Sequence, residues 1–267
     1  MIINPHLEEP RPNSVTVIRQ RTADVSLGIR RVWGFLFLRS ALALLFQATF
    51  ALGFLIGGDP EPWRSGADWW LVSFAMAEVV NLLLLRRQAQ AEGFALRDLY
   101  NLDWSGRAED LKWLAVALVV AAPLGFLPNV ILSQALWGDT QTAADLTFRA
   151  IPMWAAWSMV AVFPIIHAVT ELPTYFGYVM PRLQALTGGR WMPLLATSAV
   201  LSAQHVFLPL LFDWRYAVWR LFMFFPFALW FGWVVRSRPT VLPYLLVAHA
   251  LLDLSLPIYV LLASMAG

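Results

Sequence analysis

Seven long apolar stretches recur along this 267-residue chain, and no other feature limits its fold as much. They run over residues 36–56, 69–85, 113–136, 151–179, 192–212, 217–235 and 240–264. Crossing the hydrocarbon core of a bilayer takes about 20 mostly apolar residues in a helix. Inside that core every backbone N–H and C=O must be bonded within the protein, which a helix achieves and an open strand does not. The sequence therefore predicts an all-α polytopic transmembrane bundle of about seven spans. Composition agrees: 59% of residues are hydrophobic and 13% charged, with a mean hydropathy of +0.62, against about 25% charged in a soluble domain.

The charges are few and unevenly placed. Only Lys112 among the 19 basic residues is a lysine, and the net charge is +2. Six arginines precede residue 40, five basic residues lie in 86–112, and two lie in each of 182–190 and 236–238; the alternate side holds Arg64, Arg149, Arg215 and Arg220. Fifteen against four fits the positive-inside rule with the N-terminus cytosolic and the C-terminus outside, which requires an odd number of spans. Trp63, Trp69, Trp137, Trp191 and Trp214 fall at span ends, where interfacial anchors belong. Residues 1–31 carry five arginines without an apolar core and read as a polar cytosolic leader rather than a signal peptide. Residues 32–267 form the transmembrane domain. An integral, multi-pass protein is expected, in the inner membrane of a bacterium, with the lipid bilayer as partner and no nucleic acid. The mixed-charge connection 86–110 predicts a short surface helix, and no fixed-period repeat is present. Absence of cysteine excludes disulfides, a thiol nucleophile and thiolate metal sites.

The ionisable residues within the spans are Glu78, His167, Glu171, His205, His249 and Asp253. Such groups usually face the bundle interior or a wet cavity. At 1.5 Å per residue, Glu171 and His249 lie about 12–15 Å from the inner side, and His205 and Asp253 about 20 Å. Three spans thus bring four side chains to within about one and a half helical turns of one depth. Packing alone does not justify that coincidence. His249 and Asp253, at i and i+4, also share a helix face. His167, a turn from Glu171, reads either as a histidine bonded to a carbonyl or to Glu171, or as part of the chemistry. Glu78 and Asn81 read as an interhelical hydrogen-bonding pair.

Two histidines, a glutamate and an aspartate suggest activation of water. Glu171 beside a histidine can act as general base, and a second histidine with its aspartate can stabilise an oxyanion. The same groups, Glu171, His205 and His249, could instead hold Zn²⁺, which favours imidazole nitrogen and carboxylate oxygen. The sequence leaves both open. It lacks the H-E-x-x-H zinc helix, the G-x-S-x-G elbow and a phosphate-binding loop.

The order "ELPTYFGY" (171–178), "LSAQH" (201–205) and "HALLD" (249–253) resembles the CPBP intramembrane protease family, which includes the CAAX prenyl endopeptidases and Abi proteins. That family reads E-E-x-x-x-R, usually within E-E-x-x-F-R-G, then F-x-x-x-H, then H-x-x-x-N or D. The likeness covers about residues 90–264 and is most specific over 163–253. It implies an endopeptidase in which Glu171 and His205 activate water while His249 and Asp253 stabilise the tetrahedral intermediate. The implied substrates are prenylated CAAX-type or other membrane-associated peptides. The chain departs from the pattern at Leu172 and Phe176, which take the places of the second glutamate and the arginine, and at Tyr175 and Leu201, which replace phenylalanines. Losing one partner of a buried ion pair strands a charge, whereas losing both leaves an apolar contact, so the change at 172 and 176 is coherent. Two other classes compete: a non-hydrolytic membrane scaffold or maturation partner of the same fold, and a transporter using the buried groups as a proton relay. Retention of all four reactive residues favours the enzyme, and the lack of Gly/Pro-broken helices in matching halves disfavours the transporter.

Overall fold

The computed structural model describes residues 13–24 and 29–266, and among these every regular element is helical. In chain order they are α1 (Val15–Asp24), α2 (Ile29–Ile56), α3 (Pro62–Asp68), α4 (Trp70–Ala91), α5 (Arg107–Trp137), α6 (Gln141–Thr147), α7 (Met153–Leu172), α8 (Met180–Thr187), α9 (Met192–Gln204), α10 (Trp214–Ser237), α11 (Leu242–Asp253) and α12 (Ser255–Ala266). Six of the seven apolar stretches become mostly helix and the seventh, 192–212, does so as far as Phe207; the chain is an integral multi-pass membrane protein with an all-α bundle.

Fewer than seven helices are long and apolar enough to cross by themselves. Five helical segments are long and apolar enough to cross: Ile29–Ile56, Arg107–Trp137, Met153–Thr187, Trp214–Ser237 and Pro239–Ala266. A sixth exists if α3 and α4, bent by 70°, count as one. The stretch expected at 192–212 falls short, because its helix stops at Phe207. Pro209 is the physical reason: proline pushes the residue before it out of the α region, and Leu208 has φ −130° and ψ 76°. Irregular backbone at this depth needs partners, and the bundle supplies them. Arg220 Nε donates to His205 O at 3.0 Å and its Nη2 to Leu208 O. Gln47 pairs reciprocally with the Leu210 backbone, at 2.8 Å from its N–H and 2.9 Å from its carbonyl, and Trp63 Nε1 also reaches Leu210 O at 2.9 Å.

Arginine placement is corrected as well. Arg39 lies eleven residues into α2 and is 1% exposed, and Arg182 and Arg220 are also buried. Removing these from the two sides leaves thirteen basic residues against three, so the bias survives. Of the leader expected at 1–31, residues 1–12 and 25–28 lie outside the described residues. Its helix α1 packs on α8. Asn13 is buried there, donating to Gly177 O at 2.7 Å and accepting from Arg182 Nη1 at 3.0 Å. In the 86–110 connection, α4 continues to Ala91 and the expected surface helix is a single 3₁₀ turn, Leu96–Tyr100, whose Leu99 is fully buried.

The two larger of three apolar clusters among the described residues organise the bundle. One joins Val32, Leu36, Leu85, Leu172, Phe231 and Leu242 with their neighbours; the other joins Leu42, Trp70, Phe74, Ala155, Phe163 and Val260. Along α2, α4 and α7 the residues between the clusters are Arg39, Glu78 and His167 with Glu171, so a polar layer is enclosed between two apolar ones.

Candidate active site

The polar layer starts from the end of α7. Pro173 has no N–H, so the carbonyl of Val169, four residues earlier, loses its helical donor; Tyr100 Oη donates to it at 3.2 Å instead. The chain passes into a π-helical turn, Pro173–Val179, of the kind often found at functional sites. Thr174 bonds back to Thr170 O at 2.6 Å and accepts from Asn81 Nδ2 at 3.0 Å. Gly177 lets this turn sit against the 3₁₀ turn, since a Cβ there would stand 3.1 Å from Leu99 O. Glu171 is thereby fixed at the boundary between α-helix and π turn, 3% exposed.

Glu171 has two unlike oxygens. Oε1 accepts from Gln204 Nε2, lies 3.1 Å from Arg39 Nη1 and 3.5 Å from His167 Nε2. Gln204 is itself oriented by Tyr175, whose hydroxyl donates to Gln204 Oε1 at 2.9 Å. Oε2 faces His249 Nε2 at 3.4 Å. His249 Nε2 in turn stands 3.1 Å from Asp253 Oδ2, and Asp253 Oδ2 is 3.9 Å from His167 Nε2. The contacts of His249 and Asp253 are ion-pair contacts rather than aligned hydrogen bonds. His205 Nδ1 lies 2.9 Å from Leu201 O. A carbonyl can only accept, so Nδ1 carries the proton and Nε2 is left with its lone pair.

All four residues singled out from the sequence, Glu171, His205, His249 and Asp253, line one cavity of about 320 Å³ whose walls are mainly apolar, among them Phe163, Phe176, Phe224 and Phe231. His167 lines it as well. Its Nδ1 lies 2.9 Å from Glu78 Oε1, and Glu78 also forms an ion pair with Arg39. Glu78 and Asn81 both make the interhelical contacts expected of them, Asn81 to Thr174 and Glu78 to Arg39 and His167, which draws Glu78 into the site's charge network. Arg39, Gln204 and Tyr175 are the participants the sequence reading passed over. Arg39 was counted with the leader's cationic residues. Gln204 lies inside the "LSAQH" stretch, next to the histidine, and its neighbourhood was the available signal.

The metal trio expected from the sequence is also altered. Among the described residues, the ligand atoms that gather within 4.8 Å of one another are those of His167, Glu171 and His249, with His167 in the place expected of His205. Two imidazoles and a carboxylate are a suitable donor set for Zn²⁺. However, the Arg39 guanidinium lies 3.1 Å from Glu171 Oε1 and 3.2 Å from His167 Nδ1. A fixed cation beside two of the three residues weakens their attraction for a dication.

No family model, curated protein or solved structure matches the chain.

Proposed function

We propose that the chain is an intramembrane endopeptidase that hydrolyses a peptide bond with water activated at Glu171. The observation that carries this reading is the division of labour on that carboxylate. Arg39 and Gln204 occupy Oε1, whereas among the described residues His249 alone pairs with Oε2, and Glu171 lines a cavity large enough for a few peptide residues. A carboxylate held this way presents one basic oxygen in a fixed direction, which general-base catalysis requires.

Glu171 Oε2 takes a proton from water as the water oxygen attacks the scissile carbonyl. Asp253 lies against His249 Nε2 and favours the proton there; that same N–H turns to the developing oxyanion, the kind of interaction that gains strength in a water-poor site. His205 holds the attacking water through its unprotonated Nε2. Collapse of the intermediate breaks the C–N bond, and the proton held by Glu171 passes to the departing amine. One water is consumed, giving one carboxylate and one amine. Arg39 supplies the nearby positive charge, so the reaction is written without a metal. The mainly apolar cavity walls suit membrane-associated peptides, including prenylated ones.

The test is hydrolysis of a prenylated CAAX peptide by purified protein, comparing wild type with Glu171→Gln in the presence and absence of a chelator. Wild type should cleave, the variant should lose about 10²-fold or more of its rate, and the chelator should change nothing. Restoration by Zn²⁺ of a chelator-sensitive activity would overturn the metal-free mechanism.

A further inference from the structure

A second cavity, of about 200 Å³, lies on the side that the arginine bias marks as cytosolic. Its walls draw on all four segments of that side: Asn13 and Ser14 of the leader, Asn101 of the 86–110 connection, Gln184 of α8 and Arg236 at the end of α10. Among the described residues, Phe176 alone lines both this vestibule and the cavity that holds Glu171. Its ring is 2% exposed and lodged against Gly232 of α10. The turn that carries Phe176 leans on the leader. Pro181 has no N–H, so the carbonyl of Gly177, four residues earlier, loses its α-helical donor. Asn13, 164 residues away, supplies one: its Nδ2 donates to Gly177 O at 2.7 Å, and its Oδ1 accepts from Arg182 Nη1 at 3.0 Å. Arg182 is anchored in turn on Glu92 at 2.6 Å. Helix α1 follows Asn13 and packs on α8, with Ile18 only 2% exposed.

We propose that Phe176 is a gate between the cytosolic vestibule and the catalytic cavity, and that docking of the N-terminal helix holds it shut. With Asn13 in place, the π turn is tied down at Gly177, the residue next to Phe176. With Asn13 withdrawn, a buried carbonyl and a buried guanidinium each lose a partner, which is costly unless the turn moves. A π turn bounded by Pro173 and Pro181 is a short departure from α-helix, so a second arrangement of the same residues is close at hand. The chemistry supplies the need for a passage. Hydrolysis consumes water and leaves a carboxylate and an amine inside mainly apolar walls. A charged product leaves at lower cost to the cytosol than into lipid. The vestibule, with its Asn, Gln, Ser and Arg side chains, is the polar way out. That need rests on the hydrolase reading; the gate does not.

Thiol labelling reads the gate without turnover. The chain has no cysteine, so Ala228→Cys places a single thiol in the catalytic cavity at the expense of one added sulfur atom. The full chain, in inverted membrane vesicles, would be treated with a charged, membrane-impermeant thiosulfonate. Adding Phe176→Ala should speed labelling about tenfold to thousandfold, the range expected when an open minor state holds about 10 to 0.1% of the molecules beforehand. Asn13→Ala should give part of that gain. Ile18→Asp, which undocks α1 without touching the turn, should do the same. Where Phe176→Ala does not fold, the two α1 variants decide, since neither alters the lining of the catalytic cavity. Labelling no faster with Phe176→Ala than without it overturns the gate. The same gain in right-side-out vesicles also overturns it, because the opening would then lie elsewhere. A gain with Phe176→Ala and none with either α1 variant overturns the control by α1. Gated labelling in a chain that cleaves no peptide would sustain this inference and end the hydrolase reading. Cleavage without any gain in labelling would do the reverse.

Discussion

At the scale of single residues, the Arg39–Glu78–His167–Glu171 cluster shows what buried charge costs and what it secures. Arg39 is 1% and Glu78 0% exposed, so neither charge is solvated, and each depends on the other. Arg39→Met should destabilise the protein by about 3–5 kcal/mol, because it strands Glu78 and Glu171. Adding Glu78→Gln should recover part of that loss, since removing both charges is cheaper than removing one. Thermal unfolding of the two singles and the double in detergent reads the sign; strict additivity would mean that the pair does not interact. The four candidate residues were legible in the sequence because an ionisable group in an apolar run is conspicuous, and matched depths put them together. Arg39 was not legible for the opposite reason. It follows a run of arginines near the start of an apolar stretch, and only three-dimensional packing shows that it points inward. His167 could not be decided either, because its role depends on Glu78, 89 residues away.

At the scale of elements, two breaks in helical regularity build the site, and prolines cause both. Pro173 frees Val169 O and opens the π turn; Pro209 stops the helix at Phe207 and calls Arg220, Gln47 and Trp63 inward. The prolines are visible in the sequence, but the side chains that satisfy the freed backbone come from distant helices, and so they were missed. Packing around the π turn is tight. A Cβ on Gly232 would stand 2.6 Å from Phe176 Cε1 and 2.7 Å from Leu194 Cδ1. Gly232→Ala should therefore destabilise by about 1–3 kcal/mol, and Phe176→Leu in the same chain should relieve part of the clash; no relief would mean that Phe176 is not what α10 meets. Leu172 and Phe176 share one apolar cluster and line the same cavity. Leu172→Glu alone buries an unpaired carboxylate, and Phe176→Arg alone is worse, because guanidinium keeps its proton. Together they should show a favourable coupling of about 0.5–3 kcal/mol in a double-mutant cycle of thermal unfolding. Zero coupling would place the two side chains out of contact.

At the scale of the whole molecule, the all-α bundle follows from hydropathy alone, since lipid permits little else. The number of crossings does not, because hydropathy reports apolar length and not where a helix stops. The stretch 192–212 is apolar throughout, yet its helical part ends at Phe207, and α3 and α4 are one apolar region with a 70° bend. Sidedness rests on the arginine bias, which remains strong after the buried arginines are set aside. The N-terminus and the 86–110 connection should be cytosolic and Gly267 on the opposite side, the chain still crossing through α9 and its irregular continuation. Reporters fused after Gly267 check this: one active only outside the cytosol should work, and activity of a cytosol-only reporter would mean an even number of crossings.

Whether Glu171 activates water is tested most directly by cleavage in ¹⁸O-labelled water. Wild-type protein and Glu171→Gln would each be incubated with a membrane-associated peptide, and the products read by mass spectrometry. One ¹⁸O in the new terminal carboxylate with wild type, and no new product with the variant, is the expected result. No cleavage by wild type, or equal cleavage by Glu171→Gln, would contradict it.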